Sequence, residues 1–282
     1  MKYHRQIAHN WNEIQVQILR ENNINVQLGI DSFNIYDLKL YKKIKPLLEK
    51  WEVNLDYIGV DFTKKERDSA QYSIIDRWNS FGYPMPDSDL SYLYNTYETK
   101  NMCKKCGIGA IQKEDFRVLK TPKYPVWGLE WVYDELFIRK DLYRKIFEPL
   151  GIGFRHMRNF KNDSIVDSYI QLEIPLINES LDFPSYYPNK CPICGVIKYD
   201  PKVQGFYPLH KHPLPYIYKS MEYFGSGFSA YRKIFVSAFI RNLMIKNGIF
   251  KIGAFIPCAK SEDLSTLNHD FQEWSNARRT II

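Results

Sequence analysis

The sequence predicts an α+β fold in which a pair of cysteine knuckles is inserted into a mixed α/β protein. Three observations predict it: apolar residues at helical spacing, apolar residues that alternate with polar ones, and two Cys-x-x-Cys-Gly segments far apart in the chain. With 45% hydrophobic and 25% charged residues, the 282-residue chain has the composition of a globular protein rather than of a disordered one. Its richest apolar run, residues 234–240, is too short to span a bilayer.

The first segment, residues 1–100, contains no cysteine and is predicted to be α/β. Pro46 lies within a predicted helix and is expected to kink it. A strand is predicted from Leu55 to Val60. One buried helical stripe is indicated by apolar residues three and four positions apart, which are Leu38, Tyr41, Ile44, Leu48 and Trp51.

A helix start is predicted directly after that strand. Thr63 and Glu66 have the spacing of a capping box, in which each side chain accepts a hydrogen bond from the other residue's backbone N–H. The acids Asp61 and Asp68 are therefore interpreted as residues around a helix start rather than as a catalytic or metal-binding group. A turn-rich stretch at residues 84–89 precedes the cysteine-bearing part.

Residues 101–258 form the double Cys-x-x-Cys-Gly region, and two passages within it, 101–160 and 165–258, have similar patterns. After each knuckle, apolar residues follow Phe137 and Phe235 at the same offsets and predict a helix that turns into a strand. Each predicted helix ends at a glycine, Gly151 or Gly248. We therefore predict an internal duplication of a knuckle–helix–strand unit.

Two further segments complete the division of the chain. Ile170, Leu172 and Ile174 alternate with polar residues and predict a strand with one buried face. Residues 259–282 are treated as a C-terminal tail.

The two Cys-x-x-Cys-Gly pairs supply four candidate metal ligands. Zinc prefers four tetrahedral thiolate or imidazole ligands, and two residues between cysteines let one turn present both sulfurs to the same ion. A glycine after each pair can adopt a left-handed conformation that directs backbone N–H groups toward sulfur. The sequence thus predicts one structural Zn²⁺ in a zinc-ribbon-like Cys₄ site formed by Cys103, Cys106, Cys191 and Cys194.

Other interpretations of the cysteines stay open at this point. They are a redox dithiol, two local disulfides in an oxidising compartment, and an iron–sulfur cluster. Four thiolates would close the coordination sphere, which favours a structural over a catalytic zinc. Cys258 has no partner in spacing and is interpreted as a small buried residue.

Candidates for catalysis are few. His210 and His212 form the single His-x-His pair and could hold a second metal, although flanking prolines favour an exposed loop. Glu130, Asp134 and Glu135 are grouped, and we interpret them as a helix start. The common zinc-protease, nucleophile-elbow and phosphate-loop motifs are missing from the sequence.

The net charge of +7 is concentrated in the second half of the chain. Residues 201–250 carry seven basic residues and a single acidic one, Glu222. Such a field could attract nucleic acid or an acidic partner. The candidate phosphate contacts are Arg155, Arg158 and Lys161, together with Lys202, Lys211, Lys219, Arg232 and Lys233. The N-terminal residues lack the apolar core of a secretory signal, so we expect a cytoplasmic protein.

The knuckles at residues 103–107 and 191–195, with the passage at 235–250, resemble the double-CXXCG motif family of bacterial proteins. Some members act as immunity partners of polymorphic toxins. The resemblance implies a cytoplasmic, zinc-bound binding protein without catalysis, whose partner is a protein toxin.

Three functions follow as hypotheses. The first is a non-catalytic zinc-stabilised binding protein that covers a cognate toxin. The second is a zinc-ribbon nucleic-acid-binding protein, and the third is a metal-dependent enzyme with a second site at His210 and His212. The chain has no predicted membrane association.

Overall fold

A computed structural model describes residues 1–76, 78–181, 188–201, 203–210 and 214–277. Helices and strands are mixed along the chain, which confirms the predicted α/β mixture. Contacts within the chain define two compact units. The first contains the described residues of Met1–Glu66, Val203–Phe206 and Glu262–Ile282, and the second those of Arg67–Lys202 and Tyr207–Ser261.

These units are defined by contacts, whereas the predicted boundaries at residues 100 and 258 mark sequence patterns. Those boundaries stay a prediction. The described residues after Glu262 belong to the first unit, because Trp274 packs in the same core as Tyr3 and Tyr41.

The α-helices are short, and the longest has 13 residues. They are α1 (Glu13–Glu21), α2 (Leu38–Lys50), α3 (Lys64–Ser69), α4 (Tyr92–Thr96), α5 (Lys140–Ile146), α6 (Ala238–Lys246), α7 (Ser261–Leu267) and α8 (Asp270–Asn276). Short 3₁₀ helices lie at Ser88–Leu90, Glu148–Leu150 and Ile252–Ala254. Among the described residues, no helix has the length and apolar character needed to cross a membrane.

Strands of the first unit are β1 (Lys2–Trp11), β2 (Gly29–Ile35) and β3 (Leu55–Asp61). Those of the second unit are β4 (Tyr72–Ile75), β5 (Tyr97–Glu98), β6 (Ile111–Gln112), β7 (Phe116–Val118), β8 (Val126–Leu129), β9 (Val132–Arg139), β10 (Gly153–Arg155), β11 (Met157–Asn159), β12 (Tyr169–Glu173), β13 (Pro188–Lys190), β14 (Ile197–Tyr199), β15 (Tyr207–Leu209), β16 (Ile217–Lys219), β17 (Tyr223–Phe224), β18 (Ile234–Ser237) and β19 (Phe255–Lys260).

The first unit is an antiparallel sheet of order β2-β1-β3 whose core includes side chains of α1, α2 and α8. Helix α2 buries Tyr41, Ile44 and Leu48, which confirms the predicted stripe, and it contains Pro46. A charged side chain is buried in this unit, because Arg5 is 1% exposed. Its guanidinium donates to the carbonyl of Trp274 at 2.5 Å, which satisfies part of its hydrogen-bonding capacity.

The start of α3 has the predicted capping box. The Thr63 backbone N–H donates to a Glu66 carboxylate oxygen at 2.7 Å, and the Glu66 N–H donates to the Thr63 hydroxyl at 3.2 Å. Two backbone donors that the helix leaves unpaired are thereby satisfied.

The second unit is built on two larger sheets with a common core. One has the order β15-β19-β4-β18-β16 and the other the order β10-β12-β9-β8. Apolar side chains from both sheets pack with those of α5 and α6 in one buried cluster. Strand β12 buries Gln171 as well as Ile170 and Leu172, so the prediction of a single buried face is wrong there. The side-chain amide of Gln171 donates hydrogen bonds to the side chains of Gln112 and Glu135.

Phe137 and Phe235 lie on strands that lead into α5 and α6, and both passages then turn at a left-handed glycine. Gly151 has φ +71° and Gly248 has φ +67°, so both predicted helix-end glycines have the left-handed conformation. The duplication itself stays a prediction.

The acidic group near residue 130 does not start a helix. Asp134 and Glu135 lie on β9, and Glu130 lies in the turn before it. The interpretation as a helix start is wrong because these acids have partners from distant parts of the unit. Asp134 accepts the backbone N–H of Arg232 at 3.1 Å, and Glu135 pairs with Lys219 at 2.5 Å.

Candidate metal centre

Each cysteine knuckle lies at the tip of an antiparallel hairpin in the second unit. Strands β5 and β6 flank the knuckle of Cys103 and Cys106, and β13 and β14 flank that of Cys191 and Cys194. Strand β14 also pairs in parallel with β17 at Tyr223, and Tyr223 packs against the cysteine cluster. The hairpins therefore bring together cysteines that lie 88 positions apart in sequence.

The pattern of backbone hydrogen bonds is the same in both knuckles. The N–H of Cys103 donates to the carbonyl of Ile108 at 2.8 Å, and that of Gly107 to the carbonyl of Cys103 at 2.8 Å. In the second knuckle, the N–H of Cys191 donates to Val196 at 2.9 Å, and that of Gly195 to Cys191 at 3.0 Å.

The glycine of each knuckle has the predicted left-handed conformation. Gly107 has φ +76° and Gly195 has φ +74°. Residues with a Cβ rarely adopt such angles, which explains glycine at the fifth position of each motif. The turn then continues back into its hairpin.

The four sulfur atoms all lie within 4.8 Å of one another. Across the knuckles, the sulfurs of Cys103 and Cys191 are 3.8 Å apart, and those of Cys106 and Cys194 are 3.6 Å apart. A tetrahedral ion with metal–sulfur bonds of about 2.3 Å has sulfur–sulfur edges of about 3.8 Å. The four cysteines therefore have the spacing to hold a metal ion.

Backbone N–H groups favour the thiolate form of two of the cysteines. The thiolate is the form in which cysteine binds a metal. N–H groups of Cys194 and Ile193 lower the pKa of Cys191 to about 6. N–H groups of Lys105 and Cys106 likewise lower the pKa of Cys103. In the opposite direction, burial raises the pKa of Cys106 to about 12. A bound cation would stabilise the Cys106 thiolate and so offset the effect of burial on its pKa.

A neighbouring turn, Gly225–Ser229, packs against the first knuckle. A Cβ placed on Gly107 would lie 2.2 Å from the backbone oxygen of Phe228, so the turn fits only against a glycine. At Gly195 in the second knuckle, the nearest atom of the described residues to a Cβ would be Lys190 Cε at 3.8 Å.

Lys198 connects this turn to the first knuckle. The residue is 4% exposed, and its ammonium donates to the carbonyls of Gly227 at 2.6 Å, Ser229 at 2.9 Å and Cys106 at 3.4 Å. Lys198 therefore lies beside the cysteines as a buried cation. Lys104 and Lys105, which lie between the two cysteines of the first knuckle, are exposed.

The chemistry of the remaining cysteine is different. All five cysteines are free thiols, and Cys258 lies buried on β19. Burial strongly raises the pKa of Cys258. The interpretation of Cys258 as a small buried residue is confirmed.

His210 does not lie in an exposed loop, so that prediction is wrong. It is 5% exposed, because its ring packs edge-on against Tyr218 and Phe235. Its Nδ1 lies 3.1 Å from the Tyr218 hydroxyl, and burial lowers its pKa. His212 lies outside the described residues. Among those that the structure describes, the four knuckle cysteines are the one group of three or more ligand side chains with metal spacing.

Most of the candidate phosphate contacts that the structure describes are paired with carboxylates. Arg155 pairs with Glu173 at 3.1 Å, and Arg158 pairs with Asp115 at 3.2 Å. Lys161 is exposed. Lys202 and Lys211 lie outside the described residues.

Within the basic run of residues 201–250, three described candidates have partners in the second unit. Lys219 pairs with Glu135, and Lys233 is 7% exposed with Asp76 at 3.7 Å. Arg232 donates to the carbonyl of Ser220 at 2.8 Å and lies over the ring of Tyr223 at 4.1 Å. The charged groups of Lys219, Arg232 and Lys233 therefore contact other residues of the second unit.

Comparison of the chain with protein-family models, curated proteins and solved structures finds no match. The geometry of the described residues therefore carries the functional argument. Sequence reasoning missed the contribution of the Gly225–Ser229 turn, although Gly225 and Gly227, with φ +114° and +55°, are a local signal for a tight turn.

Proposed function

We propose that this chain is a non-catalytic, cytoplasmic binding protein whose second unit is stabilised by one Zn²⁺ shared between two cysteine knuckles. The observation that carries the proposal is the convergence of Cys103, Cys106, Cys191 and Cys194 within 4.8 Å. Zinc is the metal that most commonly occupies a tetrahedral set of four cysteines in two hairpin knuckles.

The ligand set supports a structural role for the ion. Four protein sulfurs fill a tetrahedral coordination sphere and leave no position for water or substrate. When bound, the ion would supply a cross-link between the β5–β6 and β13–β14 hairpins. Lys198 supports the same role, because a buried ammonium favours a site with a net charge of about −2, as for four thiolates and one Zn²⁺.

Apolar side chains at the second knuckle support a protein partner. Ile193 is 74% exposed at the tip of the hairpin, and Val196 and Ile197 are 38% and 40% exposed. Exposed aliphatic residues held on a rigid turn can become the buried centre of a protein interface. Following the resemblance of the knuckles, we propose a bacterial toxin as this partner and immunity as the biological role.

The arrangement of the basic residues gives less support to nucleic-acid binding. Phosphate contacts need cations that are free to approach a polyanion. Arg155 and Arg158 are instead paired with carboxylates, and Lys219 and Lys233 face carboxylates inside the second unit.

Metal analysis tests the first part of the proposal. We expect one zinc per chain in the purified protein, with neither iron nor the visible absorption of an iron–sulfur cluster. Cys103→Ser, Cys106→Ser, Cys191→Ser and Cys194→Ser should each remove the bound zinc, whereas Cys258→Ala should retain it. A fully folded protein that contains no metal would contradict the proposal.

Toxin protection tests the second part. Cells expressing toxins encoded beside this gene should survive when this chain is co-expressed, and Ile193→Asp should abolish protection while leaving the zinc content unchanged. Ile14→Asp is the matched control, because Ile14 is 72% exposed on α1, far in sequence from the knuckles. Equal protection by both variants would exclude the knuckle surface as the binding site.

A further inference from the structure

A cavity in the second unit contains a buried lysine. The cavity has a volume of about 510 Å³ and lies where β4 ends and β18 begins. Its size falls within the range of small-molecule sites in proteins. It is lined by Trp78, Tyr133, Tyr231, Asp76, Ser80 and Lys233, among others.

Lys233 is held in place by its backbone. Its N–H donates to the Ser220 hydroxyl at 3.1 Å, and its carbonyl accepts the N–H of Ser220 at 2.9 Å. The residue is 7% exposed, and its Nζ lies 5.8 Å from the ring centre of Phe224 and 5.9 Å from that of Tyr231. The amine is therefore placed among aromatic rings at the cavity wall.

Two buried lysines of this unit, Lys198 and Lys233, and the largely buried Lys219 differ in how their amines are satisfied. Lys198 donates to three carbonyls, and Lys219 contacts Glu135 at 2.5 Å. Lys233 has a carboxylate oxygen of Asp76 at 3.7 Å, which is beyond hydrogen-bonding distance. The Lys233 amine is therefore held by its carboxylate partner more loosely than the amines of Lys198 and Lys219 are held by theirs.

Burial lowers the pKa of Lys233, and Asp76 opposes this effect. The other titratable groups that line the cavity are Tyr133, Tyr231 and Arg232. Burial raises the pKa of Tyr231 to about 12, so this hydroxyl stays neutral beside the amine. A desolvated lysine in a cavity is the arrangement that proteins use for amine nucleophiles.

We propose that Lys233 is a covalent binding site for small aldehydes or ketones that enter this cavity. The Nζ lone pair attacks the carbonyl carbon, and the carbonyl oxygen takes up a proton. Loss of water from the resulting carbinolamine forms the C=N bond of an imine. One water is released for each carbonyl bound, and no oxidant or reductant is consumed. Asp76 is placed to exchange protons with these groups.

Trapping with pyridoxal and sodium cyanoborohydride tests this proposal on the full-length protein. Pyridoxal carries an aldehyde on an aromatic ring and matches a cavity with aromatic walls. The reductant converts each imine into a stable secondary amine, and peptide mapping then gives the labelling rate of each lysine. We expect Lys233 to be labelled at least ten times faster at neutral pH than the exposed Lys104.

Two variants distinguish the cavity from a general reactivity of lysines. Asp76→Asn removes the charge that favours the ammonium form, so labelling of Lys233 should become faster while that of Lys104 is unchanged. Ser80→Phe narrows the cavity and should slow the labelling of Lys233 alone. Labelling of Lys233 in the unmodified protein no faster than that of Lys104 would overturn the proposal, whatever the variants do.

Discussion

The two knuckle glycines provide a matched pair of substitutions at the candidate metal centre. Gly107→Ala and Gly195→Ala place a methyl group at nearly the same backbone angles, φ +76° and +74°. A left-handed alanine costs about 1–2 kcal/mol. This strain applies when the knuckle is closed around the metal, so Gly195→Ala should weaken metal binding by about 5- to 30-fold.

Gly107→Ala should be considerably more damaging. Its Cβ would lie 2.2 Å from the Phe228 carbonyl oxygen, whereas the nearest described atom to the new Cβ at Gly195 is Lys190 Cε at 3.8 Å. A backbone atom cannot move away as the end of a lysine can, so the Gly225–Ser229 turn must shift. Forced overpacking of this kind costs about 1–3 kcal/mol more. We therefore expect metal binding at least about fivefold weaker in Gly107→Ala than in Gly195→Ala.

Competition with a chromophoric chelator, monitored as zinc passes from the protein to the chelator, measures both affinities under the same conditions. Circular dichroism of the zinc-loaded variants provides the control for folding. Equal affinities in the two variants, or a weaker affinity in Gly195→Ala, would refute the assigned contact between the Gly225–Ser229 turn and the first knuckle.

Three further predictions concern the second unit. Cys258→Ala should cost about 1 kcal/mol in the free energy of unfolding and keep one zinc per chain, whereas Cys191→Ala should lose the zinc, as elemental analysis can show. Lys219→Met or Glu135→Leu alone should cost about 3–5 kcal/mol in the free energy of unfolding by urea, because each leaves a largely buried charge unpaired. A double variant less stable than either single variant would contradict this. Burial lowers the pKa of His210, so the unfolded chain binds a proton more readily. Stability should fall as the pH drops through about 6.5, and His210→Phe should reduce this dependence in unfolding measured from pH 7.5 to 5.5.

Local patterns in the sequence predict several elements of this protein correctly. The stripe on α2, the strand predicted at residues 55–60 and the capping box of Thr63 and Glu66 all depend on residues close in sequence. The knuckle glycines belong to this group as well, because the left-handed turn follows from the motif itself. Four-cysteine spacing likewise indicates a metal site before any fold is known.

Partners that are distant in sequence account for the predictions that failed. Asp134 and Glu135 suit a helix start, yet they lie on a strand because Arg232 and Lys219 satisfy them from the other end of the unit. His210 lies between prolines in sequence, but Tyr218 and Phe235 enclose its ring. No periodicity within either segment encodes these pairings.

The separation of the two knuckles has a consequence for synthesis of the chain. Residues 107–190 lie between the cysteines of the two knuckles, so the chain must be synthesised as far as residue 194 before all four sulfurs can come together. At about 5–20 residues per second, a nascent first knuckle waits several seconds with only two of its ligands present. For the zinc site that we propose, metal capture would consequently be a late event in biogenesis, and cells starved of zinc should accumulate newly made chains open to proteolysis.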